Sequence, residues 1–259
     1  MQQNKTLLEA VLQHERALVF VLAVVTLASW TWIVLMADDM YGTMVGASAW
    51  MMTADWDVVH LLLLWAMWAV MMMAMMLPSA APFVLLYAGA VRGKAGNDGT
   101  GALDVYALAA GYLLVWGAFS VAATVLQRLL SEALILTPMM ESGTPLMTAA
   151  VLALAGVYQL TPLKRTCLRV CRSPLSYLLQ HWRPGRFGAL RMGIEHGAYC
   201  LGCCWALMLL LFAGGVMNLT LIVALTLWVI AEKHVPFGEW TARASGIVLL
   251  ALAAWTAIG

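Results

Sequence analysis

Charged residues are scarce in this sequence, and their scarcity decides its structural class. Only 10% of the 259 residues are charged, 63% are hydrophobic, and the mean hydropathy is +0.87. Soluble domains average about 25% charged and about 45–50% apolar residues. A globular fold of this length cannot bury so much apolar surface. A water-soluble protein is therefore excluded, and the composition indicates an integral membrane protein.

Other absences exclude further classes of protein. The 14 basic and 13 acidic residues give a net charge of +1, so the chain offers no attraction for nucleic acid. No phosphate-binding loop of the form G-x4-G-K-[ST] is present, so no nucleotide-driven step is indicated. The five cysteines are odd in number, and the chain is not a small secreted domain, so a disulfide framework is a poor interpretation.

The apolar residues fall into seven stretches that meet or approach the length of about 20 residues needed to cross a bilayer. No stretch resembles another closely enough to indicate a repeat, so we expect a single helical domain over 1–259. Pro78 and Pro82 follow the second stretch directly and predict a kink or a break there. The stretches are 17–37, 58–78, 104–127, 146–163, 192–213, 216–232 and 241–258.

The distribution of basic residues predicts how these seven spans are oriented. With a cytoplasmic N-terminus, 13 of the 14 Lys and Arg residues lie in the inner segments, and only Arg128 lies outside. The outer loops carry acidic residues instead. This agreement with the positive-inside rule predicts a polytopic bundle of seven transmembrane helices in membrane lipid, with the N-terminus inside and the C-terminus outside.

Methionine is abundant and unevenly placed, since eleven of the 18 lie between Met36 and Met76. Steps of three, four and seven residues stay on one helical face, so part of the second span forms a single stripe about 22 Å long. Asp55 and Asp57 precede this stripe at its outer end. Thioethers select Cu(I), although methionine as a flexible apolar gap-filler remains an open alternative. The stripe consists of His60, Met67, Met71 and Met75.

The fifth span contains an imidazole and three thiols within nine residues. On a helix His196, Cys200 and Cys203 share a face, and Cys204 lies at its edge. Ionisable groups at that membrane depth indicate function by default, so the pattern favours a metal site. Any single cysteine could equally be a small buried hydrophobe. The glycines of this span, at 193, 197 and 202, would allow another helix to approach closely.

The inner segment between the fourth and fifth spans supplies Cys167 and Cys171, four residues apart and surrounded by basic residues. Positive neighbours favour the thiolate form. An ordinary positive-inside loop with two incidental thiols remains the alternative. At the ends of neighbouring spans, we expect Tyr158 and Gln159 to face water and Glu195 to pair with an arginine of this segment.

Three segments together resemble a family of bacterial integral membrane proteins described as predicted metal-binding. They read MMMAMMLPSAAP, YQLTPLKRTCLRVC and HGAYCLGCCWALM, and the resemblance extends from about residue 56 to 235. The resemblance implies a multi-pass helical protein of the bacterial inner membrane with a metal site and no assigned reaction.

Three functions remain open. The first is a soft-metal conduit or membrane metallochaperone, for Cu(I) or another soft metal. In it Asp55, Asp57 and His60 gather the ion, the Met stripe passes it inward, the thiols of the fifth span hold it, and Cys167 and Cys171 hand it to an acceptor protein. The second is a membrane thiol–disulfide carrier, which would be an enzyme. The third is an accessory subunit of a membrane metalloenzyme, for which the chain has few histidines and few buried carboxylates.

Overall fold

The fold is a bundle of helices, described here from a computed structural model of the chain. The structure describes residues 16–42, 57–95, 100–133, 135–137, 140 and 142–258. Regular structure in these ranges is helical, apart from one isolated bridge between Leu136 and Ser142. The prediction of an all-helical fold is confirmed for this part of the chain. In chain order the helices are α1 (Arg16–Tyr41), α2 (Val58–Ala95), α3 (Thr100–Glu132), α4 (Pro145–Leu160), α5 (Pro162–Arg172), α6 (Pro174–His181), α7 (Gly185–Met208), α8 (Leu210–Gly214), α9 (Leu219–His234) and α10 (Gly238–Ile258).

Five spans in the described ranges are long and apolar enough to cross a membrane, fewer than the seven that the sequence predicts. They comprise α1, α2, α3, α7 with α8, and α10. A sixth arises if α4 and α5 form one span, because the two meet at a bend of 65°. The remaining predicted span corresponds to α9, which has only 16 residues.

Helix α2 continues through both of its prolines for 38 residues. A proline at position 78 leaves the carbonyl of residue 74, four positions earlier, without its helical partner. The indole nitrogen of Trp30 on α1 donates to this Ala74 carbonyl at 3.1 Å. A neighbouring helix thus satisfies the freed acceptor, which is the usual remedy for proline in an apolar bundle. The helix is therefore not broken at Pro78 and Pro82, and the predicted kink there stays a prediction.

The backbones of helices α3 and α7 approach each other closely at two glycines. A Cβ at Gly193 would lie 2.0 Å from the carbonyl oxygen of Leu108, and one at Gly111 would lie 2.2 Å from that of Leu190. These positions accept no side chain, so the prediction that Gly193 permits a close approach is confirmed. The contact fixes the height and rotation of α7, which carries the thiols.

The inner segment folds into two helices, α5 and α6. Thr161 ends α4 and caps α5, since its side chain accepts from the Lys164 amide at 3.2 Å, and Pro162 occupies the first turn. Helix α5 turns one face, which includes Cys167 and Leu168, towards the bundle. The inner thiols therefore pack against the protein core.

Candidate functional site: thioethers and thiols in one core

The three methionines of the predicted stripe, Met67, Met71 and Met75, are fully buried. They belong to the same apolar core as the cysteines of α7. The methionine stripe therefore faces the interior of the bundle. Lipid-facing methionine would have been interchangeable with leucine, whereas these side chains are enclosed by protein.

The methionine of α2 whose sulfur contacts a thiol of α7 is Met76, which was not among the residues predicted from the sequence. Its Sδ lies 3.9 Å from the Sγ of Cys204. Met72, one turn earlier on α2, is also fully buried. The sequence feature that could have identified Met72 and Met76 is their spacing of four residues within the same run of methionines. The buried methionines of α2 thus occupy more of the helix surface than the single stripe that the sequence predicts.

The cysteines of α5 and α7 come together at the contact between these helices. On α7, the thiols of Cys203 and Cys204 donate to the carbonyl oxygen of Cys200, at 3.1 and 3.0 Å. The side chain of Cys171 on α5 interacts with those of Cys200 and Cys203. Cys167 lies over Gly202, where a Cβ would be 2.8 Å from its Sγ. All five cysteines are free. We call Cys171, Cys200, Cys203 and Cys204 the thiol cluster.

His196 lies one turn before Cys200 and is buried. Its ring stacks on Phe83 of α2, with the ring centroids 3.8 Å apart, and its Nδ1 has no hydrogen-bond partner among the described residues. Within the same residues, no three His, Cys, Asp or Glu side chains are already arranged to hold a metal ion. Joint binding of one ion by His196, Cys200 and Cys203 therefore stays a prediction.

The expected outer mouth is only partly described. His60 is buried, and its amide donates to the Asp57 Oδ1 at 2.7 Å. Asp57 is thus the N-terminal cap of α2, a structural role in which aspartate is strongly preferred. Asp55 lies outside the described residues. Participation of these three residues in metal capture stays a prediction.

A buried polar network lies beside the thiols, and the sequence analysis missed it. The Lys164 ammonium lies 2.5 Å from the Glu232 carboxylate, and both side chains are at most 1% exposed. Gln159 donates to the same carboxylate at 2.6 Å, so the expectation that Gln159 faces water is wrong. Lys164 also donates to the carbonyl oxygen of Cys203. A lysine of the inner segment therefore helps to position the thiol-bearing helix.

Tyr158, on α4, is also turned inward. Its hydroxyl donates to the carbonyl oxygen of Gly202, and its ring contacts Trp205 edge-on, with the centroids 5.0 Å apart. The expectation that this tyrosine faces water is therefore wrong as well. Tyr158 and Lys164 therefore donate to two successive carbonyl oxygens of α7, those of Gly202 and Cys203.

Lys233 of α9 reaches the thiol cluster directly. Its ammonium donates to the Cys200 Sγ at 3.0 Å and to the Ser79 hydroxyl at 2.9 Å. The Tyr112 hydroxyl lies 3.2 Å from the same sulfur. Although Glu232 and Lys233 are adjacent in sequence, they bind different partners. An ionisable residue in an apolar bundle is the signal by which Lys233 could have been found.

Glu195 lies near the middle of α7 and is paired with an arginine of the inner segment as expected. Its carboxylate accepts from Arg191 at 2.9 Å and from Arg183 of the inner segment at 3.4 Å. The Tyr177 hydroxyl on α6 donates to it at 3.2 Å. Burial and the neighbouring carboxylate raise the pKa of Tyr177, so it remains a neutral donor. The Tyr177 ring also lies 5.7 Å from that of His196. Helix α6 thus covers the inner side of this imidazole.

Comparison with known proteins provides one match. A family model described as PpoB2, copper chaperone, matches residues 65–256. The matched range contains all five cysteines, His196, the methionines of α2 from Met67 onwards, and Lys233. It begins after Asp57 and His60. Searches of the curated proteins and of the solved structures give no match.

Proposed function

This chain belongs to the PpoB2 family of copper chaperones, and we propose that it is a membrane-embedded chaperone that conducts Cu(I) to an acceptor protein. The copper is cargo in this proposal. It moves from the thioethers of α2 to the thiol cluster and leaves through the inner helices. Another soft metal would use the same ligands.

The contact between Cys204 and Met76 is the observation that carries this proposal. It joins the two sets of soft ligands at 3.9 Å between the sulfur atoms. Met67, Met71 and Met75 continue from there along α2 towards His60, at intervals of about 6 Å per four residues. Thioethers and thiolates are the ligands that select Cu(I) over harder ions. An ion that passes from α2 to α7 would therefore be bound by sulfur ligands throughout.

The order of the ligands gives the transfer a direction. Thioethers are neutral and release Cu(I) readily, whereas thiolates hold it more tightly, so an ion moves from α2 towards the thiol cluster. Cys171 is half-buried, while Cys200 and Cys203 are buried. We propose that Cys171, with Cys167, passes the ion to the thiols of an acceptor protein that docks at the basic helix α5.

Membrane embedding is supported by the apolar surface of the outer helices. Leu27 on α1, Ile247 on α10 and Trp255 on α10 are 66%, 63% and 78% exposed. Such surfaces suit lipid rather than water. We propose seven spans in the bacterial inner membrane, with α4 as the fourth, α9 as the sixth, and the N-terminus and the basic helix α5 on the cytoplasmic side. The positive-inside distribution of Lys and Arg supports this orientation.

A thiol–disulfide carrier is the second candidate, favoured by the interaction of Cys171 with Cys200 and Cys203. Exchange between α5 and α7 would use this contact directly. It leaves the buried thioethers and the Met76 contact without a role. An accessory metalloenzyme subunit has no comparable observation in its favour.

The test replaces Met67, Met71 and Met75 together by leucine. Leucine conserves volume and hydrophobicity, so the fold should lose less than about 1.5 kcal/mol per site. Copper bound by the purified protein is measured by mass spectrometry, and Cu(I) entry into proteoliposomes is followed with an entrapped chelator. We expect bound copper to remain at the thiols while entry slows strongly. M147L, a partly buried methionine on α4, is the control and should behave as wild type.

The double variant C200S/C203S completes the comparison. We expect it to lose both bound copper and copper entry. If the leucine variant conducts copper as the wild type does while the serine variant is inactive, the route through the methionines is refuted. If the wild type carries no copper into the vesicles, the conduit is refuted and the thiol carrier is favoured.

A further inference from the structure

The ammonium of Lys233 is the feature of the site that copper binding alone does not explain. The side chain is buried, and it contacts the ligand Cys200 and the hydroxyl of Ser79. Among the described residues it forms no ion pair with a carboxylate, unlike Lys164. A metal site has no need of a cation beside it, since a cation repels the incoming ion. Its presence therefore demands a reason.

The charges around the cluster can be added group by group. Lys164 and Glu232 form a pair at 2.5 Å and cancel. Lys233 contributes one positive charge. If Cys200 and Cys203 bind the ion as thiolates, they contribute two negative charges. Cysteine binds metals as thiolate, so two thiolates with Lys233 leave a net charge of −1 for the cargo to balance. A monovalent ion makes the loaded site neutral, whereas a divalent ion leaves it positive.

Net charge is expensive in an apolar bundle, because it is removed from water without compensation. Building on the proposed function, we propose that Lys233 is the specificity-determining residue that makes the thiol cluster select monovalent Cu(I) over divalent ions such as Zn²⁺. Ligand softness alone does not achieve this selection, since thiolate and imidazole also bind Zn²⁺ well. The fixed charge of Lys233 provides it.

The test measures selectivity in the full-length protein. K233M removes the charge and retains an unbranched apolar side chain, and K233Q is a second neutral variant if K233M fails to fold. Affinities are measured anaerobically, for Cu(I) by competition with a chelator and for Zn²⁺ by competition with a zinc indicator. S79A is the matched control, because it removes a hydrogen bond to the same ammonium and no charge.

We expect the ratio of Cu(I) affinity to Zn²⁺ affinity to fall by at least about 10-fold in K233M, given a unit charge a few ångströms from the ion. Zinc binding should strengthen more than Cu(I) binding, because the lost ammonium repels a divalent ion more than a monovalent one. S79A should keep the wild-type ratio. An unchanged ratio in a folded neutral variant that still binds Cu(I) would overturn this inference and leave the chaperone intact. An equal fall in S79A would overturn it too, by assigning the effect to geometry. Wild-type protein that binds no Cu(I) would instead remove the proposed function itself.

Discussion

Replacing Lys164 by methionine should destabilise the protein more than any other single charge removal in the inner helices. The substitution keeps an unbranched side chain of similar length and removes the ammonium that lies 2.5 Å from Glu232. It also removes the donor to the carbonyl of Cys203 on the thiol-bearing helix. The perturbation therefore affects both a buried ion pair and the attachment of α5 to α7.

The size of the effect follows from what remains. Glu232 stays almost fully buried after the change and has lost its cation. Breaking a buried pair by removing one partner costs about 3–5 kcal/mol. Gln159 and Trp228 still donate to the carboxylate, at 2.6 and 3.0 Å, and offset part of this loss. We therefore expect about 3 kcal/mol for K164M. Neutralising both partners in K164M/E232Q should restore most of the stability, because a complete buried pair contributes little net stabilisation.

The assay is reversible unfolding of the purified protein in mixed detergent micelles, with R169M as the matched control. Arg169 lies on the same helix and pairs with Glu239 at 2.8 Å, but its side chain is 68% exposed. Exposed pairs contribute little, so R169M should leave the unfolding free energy unchanged. If R169M destabilises the protein as much as K164M, or if K164M/E232Q is as unstable as K164M alone, burial of the pair is not the cause and the reasoning fails.

Two further predictions test the bundle. G193A should destabilise the protein by about 1–3 kcal/mol or more, because the new methyl group would lie 2.0 Å from the Leu108 carbonyl oxygen; G117A on α3, with open space around it, should be neutral or stabilising in the same unfolding assay. Cysteine labelling from the two sides of the membrane should find S142C accessible from outside and R186C from the cytoplasm. The reverse pattern at both sites would overturn the proposed orientation.

The sequence predicts the helices well because their signal is local. A long apolar run must be helical in a bundle, and five of the seven runs match a helix to within about five residues at each end. Helix α2 ends 17 residues after its run, and α7 begins seven residues before its run. The effect of the two prolines on α2 is not determined by the local sequence. It depends on Trp30 of another helix, which supplies the hydrogen bond that the Ala74 carbonyl needs. Likewise the bend between α4 and α5 comes from the capping Thr161 and Pro162, which turn the inner segment inward.

The candidate site was predictable in its ligand types and less so in its contacts. Methionines at 71, 72, 73, 75 and 76 cover more than half of the circumference of α2, so spacing alone does not decide which side chain meets α7. The packing of the helices places Met76 against Cys204 of α7. The burial of Lys164 and Lys233 could not be predicted for a different reason. A lysine beside an apolar span normally extends its ammonium to water. The burial of these two lysines depends on Glu232 and on the thiols, which are distant in sequence.

The two halves of the proposed route differ in what surrounds their sulfur atoms. Thioethers carry no charge, so Met67 and Met71 can lie in an entirely apolar core without any counter-ion. Thiolates carry a full charge, and the structure places the ammonium of Lys233 at Cys200. In the part of the chain that the structure describes, buried cations and side-chain hydrogen bonds to the α7 carbonyls lie at the thiol end, so that end is the charge-compensated one. On the proposed function, an ion would pause there rather than in the methionine segment. Its release would then depend on an acceptor that offers thiolates of its own and removes the ion by ligand exchange.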